Sequence, residues 1–137
     1  HSLRSPRGAV GIMQILPSTA ADPNVDIPDI RLLENNIHAG TKYLAFLRDR
    51  YFSGDEIVEH EREFFALAAY NAGPRRVAQL RNGAVEMGLD PNQWFQNVEV
   101  VAARRIGRET VQYVSNIHKY TVAYRRVAAE YERKGLL

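Results

Sequence analysis

The stretch that decides the fold lies near the end of the chain and reads GRETVQYVSNIHKYTVAYRRVAAEYER, residues 107–133. Its large apolar side chains recur in steps of four and three residues, which is the spacing of one face of an α-helix. The members of this stripe are Tyr113, Ile117, Tyr120, Tyr124, Val127 and Tyr131. We predict a long helix from about Arg108 to Arg133 that packs on the protein through the whole stripe.

The sequence before this stretch is also typical of helices. The same spacing recurs in two further segments, at Ile37, Gly40, Leu44, Leu47 and Tyr51 and at Phe64, Leu67, Ala68 and Asn71. Gly73-Pro74 predicts the end of one helix and the start of the next. Asp90-Pro91 predicts another start, with Asp90 as the N-cap. Because no stretch alternates as a strand does, we predict an all-α fold and a single domain over residues 1–137.

Bulk composition excludes several kinds of protein. The 137 residues carry a net charge of only +2, which is too small to indicate a nucleic-acid partner. The absence of cysteine excludes a disulfide framework, and no apolar run is long enough to cross a membrane. His1, His38, His60 and His118 show no metal-ligand spacing. We therefore expect neither a metal nor another cofactor.

The segment GAVGIMQ, residues 8–14, is unusual because two glycines precede a glutamine within an apolar run. The glycines would let the backbone approach a neighbouring segment or a ligand closely, or they would serve a tight entry into a helix. The Gln14 amide offers both a donor and an acceptor, which suits sugar hydroxyls and acetamido groups.

Two further segments allow two interpretations each. In ALAAYNAGP, residues 66–74, the alanines would allow close helix packing. Tyr70 and Asn71 would then either project into a cleft or serve as a core aromatic and a helix cap. In ETVQYV, residues 109–114, Glu109 fits ordinary helix-dipole chemistry, and Tyr113 is either a core residue or part of a site.

Taken in this order, three segments resemble the catalytic domain of soluble lytic transglycosylases, which are related to goose-type lysozymes. The matching segments are SPRGAVGIMQ at residues 5–14, AYNAG at residues 69–73 and ETVQYV at residues 109–114. NNIHAGTKYL at residues 35–44 and GLDPNQWF at residues 88–95 resemble the membrane-bound lytic transglycosylase F branch more narrowly.

The resemblance implies a lysozyme-like helical fold and an enzyme of the cell envelope or periplasm that acts on peptidoglycan. The reaction it implies is cleavage between N-acetylmuramic acid and N-acetylglucosamine with formation of a 1,6-anhydromuramyl product. Two alternatives stay open, namely a murein-binding domain without activity and a goose-type lysozyme that hydrolyses the same bond with water. The residues expected to line one groove are Ser5, Met13, Gln14, Tyr70, Asn71 and Tyr113.

Within that set the resemblance implies separate roles. Ser5 and Tyr113 would support catalysis, and the other four would bind the glycan. The family's catalytic glutamate precedes the serine matched by Ser5, so we expect it upstream of His1, on a helix that residues 1–137 lack. On this expectation the 137 residues alone are inactive, and the parent protein has room for a further N-terminal domain. Among the acidic residues present, we expect Glu59, Glu61 and Glu63 to face solvent and Glu109 to be structural.

Overall fold

The structure, a computed structural model, describes residue 4, residues 8–11 and residues 13–136. These residues form six α-helices and no strand, with only isolated bridges outside the helices. The helices are α1 (Pro17–Ala21), α2 (Leu33–Tyr51), α3 (Glu59–Ala72), α4 (Pro74–Glu86), α5 (Glu99–Arg105) and α6 (Glu109–Arg133). The prediction of an all-α fold is confirmed. The chain groups into two compact units, His1–Asp55 and Glu56–Leu137.

The first unit packs α1 and α2 around a small core. The members of that core are Val10, Ile15, Ala20, Val25, Ile30 and Ala39, with Ile27 and Tyr43 packed against it. On α2 the buried residues are Asn36, Ala39, Gly40 and Leu47. Ile37 and Tyr51, at the two ends of the predicted apolar face, are both exposed. The buried face is therefore rotated from the predicted one toward Asn36 and Ala39. The cause is that small and polar residues of α2, such as Asn36 and Gly40, pack against the loop that precedes the helix.

The second unit is organised around α3, which packs against both α4 and α6. Three alanines of α3, Ala66, Ala68 and Ala69, are almost completely buried, so the neighbouring helices can approach its backbone closely. Gly73 ends α3 with φ of +95°, a conformation that favours glycine, and Pro74 is the first residue of α4. The predicted break at Gly73-Pro74 is confirmed.

Residues 90–98 differ from the prediction. The Asp90 carboxylate accepts a hydrogen bond from the backbone N–H of Asn92 at 2.8 Å, which closes a turn rather than capping a helix. The following segment, Trp94–Val98, is irregular, with φ of +65° at Gln96. Regular helix begins only at Glu99, so the predicted helix start at Pro91 is wrong.

Helix α6 has the predicted length, but four of the six stripe residues are not packed. The contacts from α3 run from Asn71 beside Thr110 to Phe64 beside His118, and α6 continues beyond them to Arg133. Past that point the stripe residues are exposed, Tyr124 by 73%. The exposed members are Tyr120, Tyr124, Val127 and Tyr131. The prediction that the whole stripe packs is therefore wrong. None of the described helices is long and apolar enough to cross a membrane.

Candidate functional site

Gly11, the second of the two glycines near the start of the chain, lies in a tight turn, which we call the glycine turn (Val10, Gly11 and residues 13–15). Val10 and Ile15 exchange both backbone hydrogen bonds, at 2.8 and 3.1 Å, and Gln14 N–H donates to the Gly11 carbonyl. Gly11 has φ of +78°, in the left-handed region that favours glycine. Gly11 therefore serves a turn, and neither it nor Gly8 forms the entry into a helix, since α1 begins only at Pro17.

Gln14 is exposed at the end of the glycine turn and has φ of +49°, which is unusual for a residue other than glycine. Its side-chain Nε2 donates to the Gly11 carbonyl at 2.7 Å, so one N–H of the amide is used within the turn. Among the residues that the structure describes, none donates to Gln14 Oε1. The fixed amide thus presents an acceptor to solvent.

Asn36 on α2 anchors the glycine turn and was assigned no role from the sequence. Its side chain is almost completely buried and accepts a hydrogen bond from Met13 N–H at 2.8 Å. Its Nδ2 donates to the carbonyls of Val10 at 2.7 Å and Ile30 at 2.9 Å. The available signal was an asparagine four residues before a glycine, Gly40, on one face of a predicted helix.

A second cluster joins the end of α3 to the first turns of α6. The Thr110 hydroxyl donates to Asn71 Oδ1 at 2.6 Å. The rings of Tyr70 and Tyr113 lie nearly parallel, with an interplanar angle of 9° and 6.4 Å between centroids. The structure thus brings together the three predicted site residues of the second unit, although more than forty positions of sequence separate Tyr70 from Tyr113.

Asn71 and Tyr113 of this cluster both have hydrogen-bonding groups available to a ligand. Because Thr110 uses one acceptor position of Asn71 Oδ1, the amide keeps its Nδ2 donors and one acceptor position for a ligand. Burial raises the pKa of the Tyr113 phenol above its ordinary value, so the hydroxyl is neutral and can donate at neutral pH. No partner for that hydroxyl occurs within the described part of the chain.

The acidic residues considered from the sequence differ in burial. Glu61 was expected to face solvent, but it is buried at the start of α3 and its Oε1 accepts the Trp94 backbone N–H at 2.7 Å. His60 Nε2 lies 3.3 Å from the other carboxylate oxygen. The expectation for Glu61 is wrong, because this carboxylate anchors the irregular Trp94 segment. Glu59 and Glu63 are exposed as expected, and Glu109 is exposed in the first turn of α6.

The predicted site residues fall into two groups. Met13 and Gln14 lie on the glycine turn of the first unit, and Tyr70, Asn71 and Tyr113 form the cluster in the second. Ser5 lies outside the described residues. That all of them line one groove stays a prediction.

Comparison with known proteins gives the class of this chain. Residues 2–88 match the family model described as the transglycosylase SLT domain. The chain therefore belongs to the transglycosylase SLT domain family, and the lysozyme-like helical fold expected from the resemblance is confirmed.

More particular relatives share the name membrane-bound lytic murein transglycosylase F. The chain is 34% identical over 131 residues to the protein of Shewanella woodyi, covering 85% of the chain and 26% of the relative. It is 35% identical over 131 residues to that of Desulfosudis oleivorans, covering 85% and 28%. It is 32% identical over 143 residues to that of Erwinia tasmaniensis, covering 95% and 28%. The chain thus spans about a quarter of the length of these curated relatives.

Proposed function

We propose that this chain forms the glycan-binding part of a lytic murein transglycosylase. The substrate is the peptidoglycan strand, and the bond cleaved joins N-acetylmuramic acid to N-acetylglucosamine. The observation that carries the proposal is the pair of oriented amides, Gln14 presenting an acceptor and Asn71 a donor. An acetamido group offers one N–H and one carbonyl, so it can use both kinds of partner. Membership of the SLT family supports the same substrate class.

The proposed reaction needs one carboxylic acid. It protonates the glycosidic oxygen as the bond to C1 of the muramyl residue breaks, and it then accepts the proton of the 6-hydroxyl while that oxygen bonds to C1. Most glycosidases use two carboxylates, whereas here the substrate supplies the nucleophile. The product is the 1,6-anhydro ring, and no water is consumed.

No described carboxylate is placed to act as that acid. Glu61 is engaged by the Trp94 N–H, and Glu109 is an exposed residue at the start of α6. A general acid needs a raised pKa, which burial without a charge-stabilising donor provides. We therefore assign the acid to the glutamate that the family motif places upstream of Ser5.

The described residues contribute binding and electrostatic stabilisation. In the proposal, Gln14 and Asn71 hydrogen-bond the N-acetyl sugars, and Met13 supports the cleft wall. Tyr70 packs beside the scissile bond. The neutral Tyr113 hydroxyl donates to a group that gains negative charge in the transition state, and Ser5 belongs to the same site.

Binding of N-acetylglucosamine oligomers to residues 1–137 tests the proposal without requiring cleavage. We expect Gln14→Ala and Asn71→Ala each to weaken binding about five- to tenfold, the loss of one or two hydrogen bonds. Gln79→Ala, an exposed glutamine of α4, is the matched control and should bind as the wild type does. Absence of binding by the wild-type chain, or equal affinities in all variants, would contradict the proposal.

The partners and location follow from the substrate. We infer that the protein acts in the cell envelope, on the periplasmic side where peptidoglycan lies, and the relatives named above are called membrane-bound. The curated relatives are between three and four times as long as this chain, which is consistent with a further regulatory or substrate-binding domain in the natural protein. Neither a nucleic-acid partner nor a cofactor is part of the proposal.

A further inference from the structure

One residue of the glycine turn, Gln14, has a backbone conformation that its residue type does not favour. Gln14 has φ of +49°, a backbone state that costs free energy for a residue with a side chain. The hydrogen bonds within the turn join Val10 to Ile15 and Gln14 to Gly11. Such a state persists only when the surrounding structure holds it in place.

Asn36 supplies that support from outside the turn. It binds the turn on both sides, through the Val10 carbonyl and the Met13 N–H, and ties it to the Ile30 carbonyl. Three of the four hydrogen bonds available to an asparagine amide are therefore made. A leucine would remove all three of these hydrogen bonds and leave the Val10 carbonyl with only its bond from Ile15 N–H, and an aspartate would direct a carboxylate oxygen at two carbonyls.

Two glycines fit the turn against the same face of α2. A Cβ on Gly11 would lie 2.4 Å from Asn36 Nδ2, so only glycine lets the asparagine reach the turn. A Cβ on Gly40, one helical turn after Asn36, would lie 2.7 Å from the Met13 side chain. Asn36 thus binds the backbone of the turn while Gly40 makes room for its methionine.

We propose that Asn36 is a positioning residue of the glycan site, which acts by holding the glycine turn so that Gln14 presents its amide to the sugar. This inference takes its ligand, the glycan, from the proposed function. The claim that Asn36 holds the glycine turn does not depend on that function. The competing explanation is that Asn36 only satisfies buried backbone groups and contributes to global stability.

The experiment compares Asn36→Asp with Asn35→Asp in the 137-residue chain. Asn35 is the neighbouring asparagine, and its side chain makes only a long bond to the Asp29 carbonyl at 3.3 Å. Amide hydrogen exchange of Met13 and Ile15 reports the turn, and that of Val114 in α6 reports the rest of the protein. Affinity for an N-acetylglucosamine oligomer is measured on the same samples.

We expect Asn36→Asp to speed exchange at Met13 and Ile15 by about tenfold or more, with Val114 unchanged. Oligomer affinity should fall as far as it does in Gln14→Ala. The double variant Asn36→Asp/Gln14→Ala should bind no more weakly than Gln14→Ala alone, because Asn36 acts through Gln14. Asn35→Asp should match the wild type in every readout.

Additive losses in the double variant, or unchanged affinity despite a loosened turn, would overturn the proposal. Unchanged exchange at Met13 would overturn its structural part. If Asn36→Asp does not fold, Gly40→Ala replaces it, because the added methyl displaces Met13 from the same face of α2. Hydrogen exchange, oligomer affinity and the double variant with Gln14→Ala are then compared in the same way. A wild-type chain that fails to bind the oligomer contradicts the proposed function instead, while the exchange measurement still tests the anchoring of the turn.

Discussion

The Thr110 hydroxyl makes a hydrogen bond between α6 and α3 beside the tyrosine pair. Thr110 is buried, and its Oγ1 donates to Asn71 Oδ1 at 2.6 Å. Thr110→Val keeps the shape but leaves that oxygen without its donor, so we expect a loss of about 1–2 kcal/mol in the free energy of unfolding. Urea denaturation measures this loss.

Thr121→Val is the matched control, since the Thr121 hydroxyl bonds only to the Ile117 carbonyl of its own helix. Its effect should stay within about 0.5 kcal/mol, because that carbonyl already belongs to the helical ladder. Equal losses in the two variants would show that the Thr110–Asn71 bond adds nothing specific.

The Tyr113 phenol gives a second test at the residue scale, through pH. Burial raises its folded-state pKa above the unfolded value of about 10. The stability that the buried, neutral phenol contributes is therefore fully present below about pH 10 and is lost as pH rises through the folded pKa. Tyr113→Phe should therefore reduce the alkaline loss of stability seen in thermal unfolding.

Tyr124→Phe, the same substitution at an exposed ring of the same helix, is the matched control for effects of the substitution itself. Part of the loss should persist in Tyr113→Phe, because burial also raises the pKa of Tyr43, assisted by Tyr51 and Asp22. An alkaline profile unchanged by Tyr113→Phe would contradict the buried state of that ring.

At the scale of the elements, α6 carries two valines in opposite environments. Val114 is completely buried and Val127 is 52% exposed. We expect Val114→Ala to cost about 2 kcal/mol through the lost contacts and the cavity, and Val127→Ala less than about 0.5 kcal/mol. Denaturation of the two variants under one set of conditions compares the same substitution on the same helix. A cost for Val127→Ala close to that for Val114→Ala would show that the outer half of the stripe packs after all.

The same helix shows how far sequence pattern reaches. The spacing from Tyr113 to Tyr131 predicted the length of α6 correctly, because helical period is a local property. The spacing could not predict which stripe residues are buried by other helices, since that depends on how far along α6 the contacts from α3 extend. The break at Gly73-Pro74 was predictable for the same local reason.

Long-range side-chain bonds mark what the sequence could not predict. Asn36 contacts Val10 across 26 positions, and Glu61 contacts Trp94 across 33. Neither bond has a local signature, and a glutamate in a charged stretch is more often solvated than buried. The proposed site residues Gln14, Asn71 and Tyr113 were predicted through motif resemblance, because each alone has an ordinary structural interpretation.

At the scale of the whole molecule, the predicted common groove requires that one ligand reach both units. A spin-labelled N-acetylglucosamine oligomer should broaden amide resonances of the glycine turn and of the first turns of α6 in the same titration. Broadening confined to Gln14 and its neighbours, or to Tyr113 and its neighbours, would contradict a shared groove. Arg125, on the outer half of α6, provides the unaffected reference.

The central claim concerns the reaction, and product analysis tests it most directly. Purified peptidoglycan is digested with the natural protein that contains this chain, and the released fragments are separated and weighed by mass spectrometry. We expect fragments that end in 1,6-anhydromuramyl residues, and we expect Tyr113→Phe to lower kcat by a larger factor than it changes KM. Fragments with reducing ends, each heavier by one water, would show hydrolysis and contradict the account, as would the absence of any cleavage.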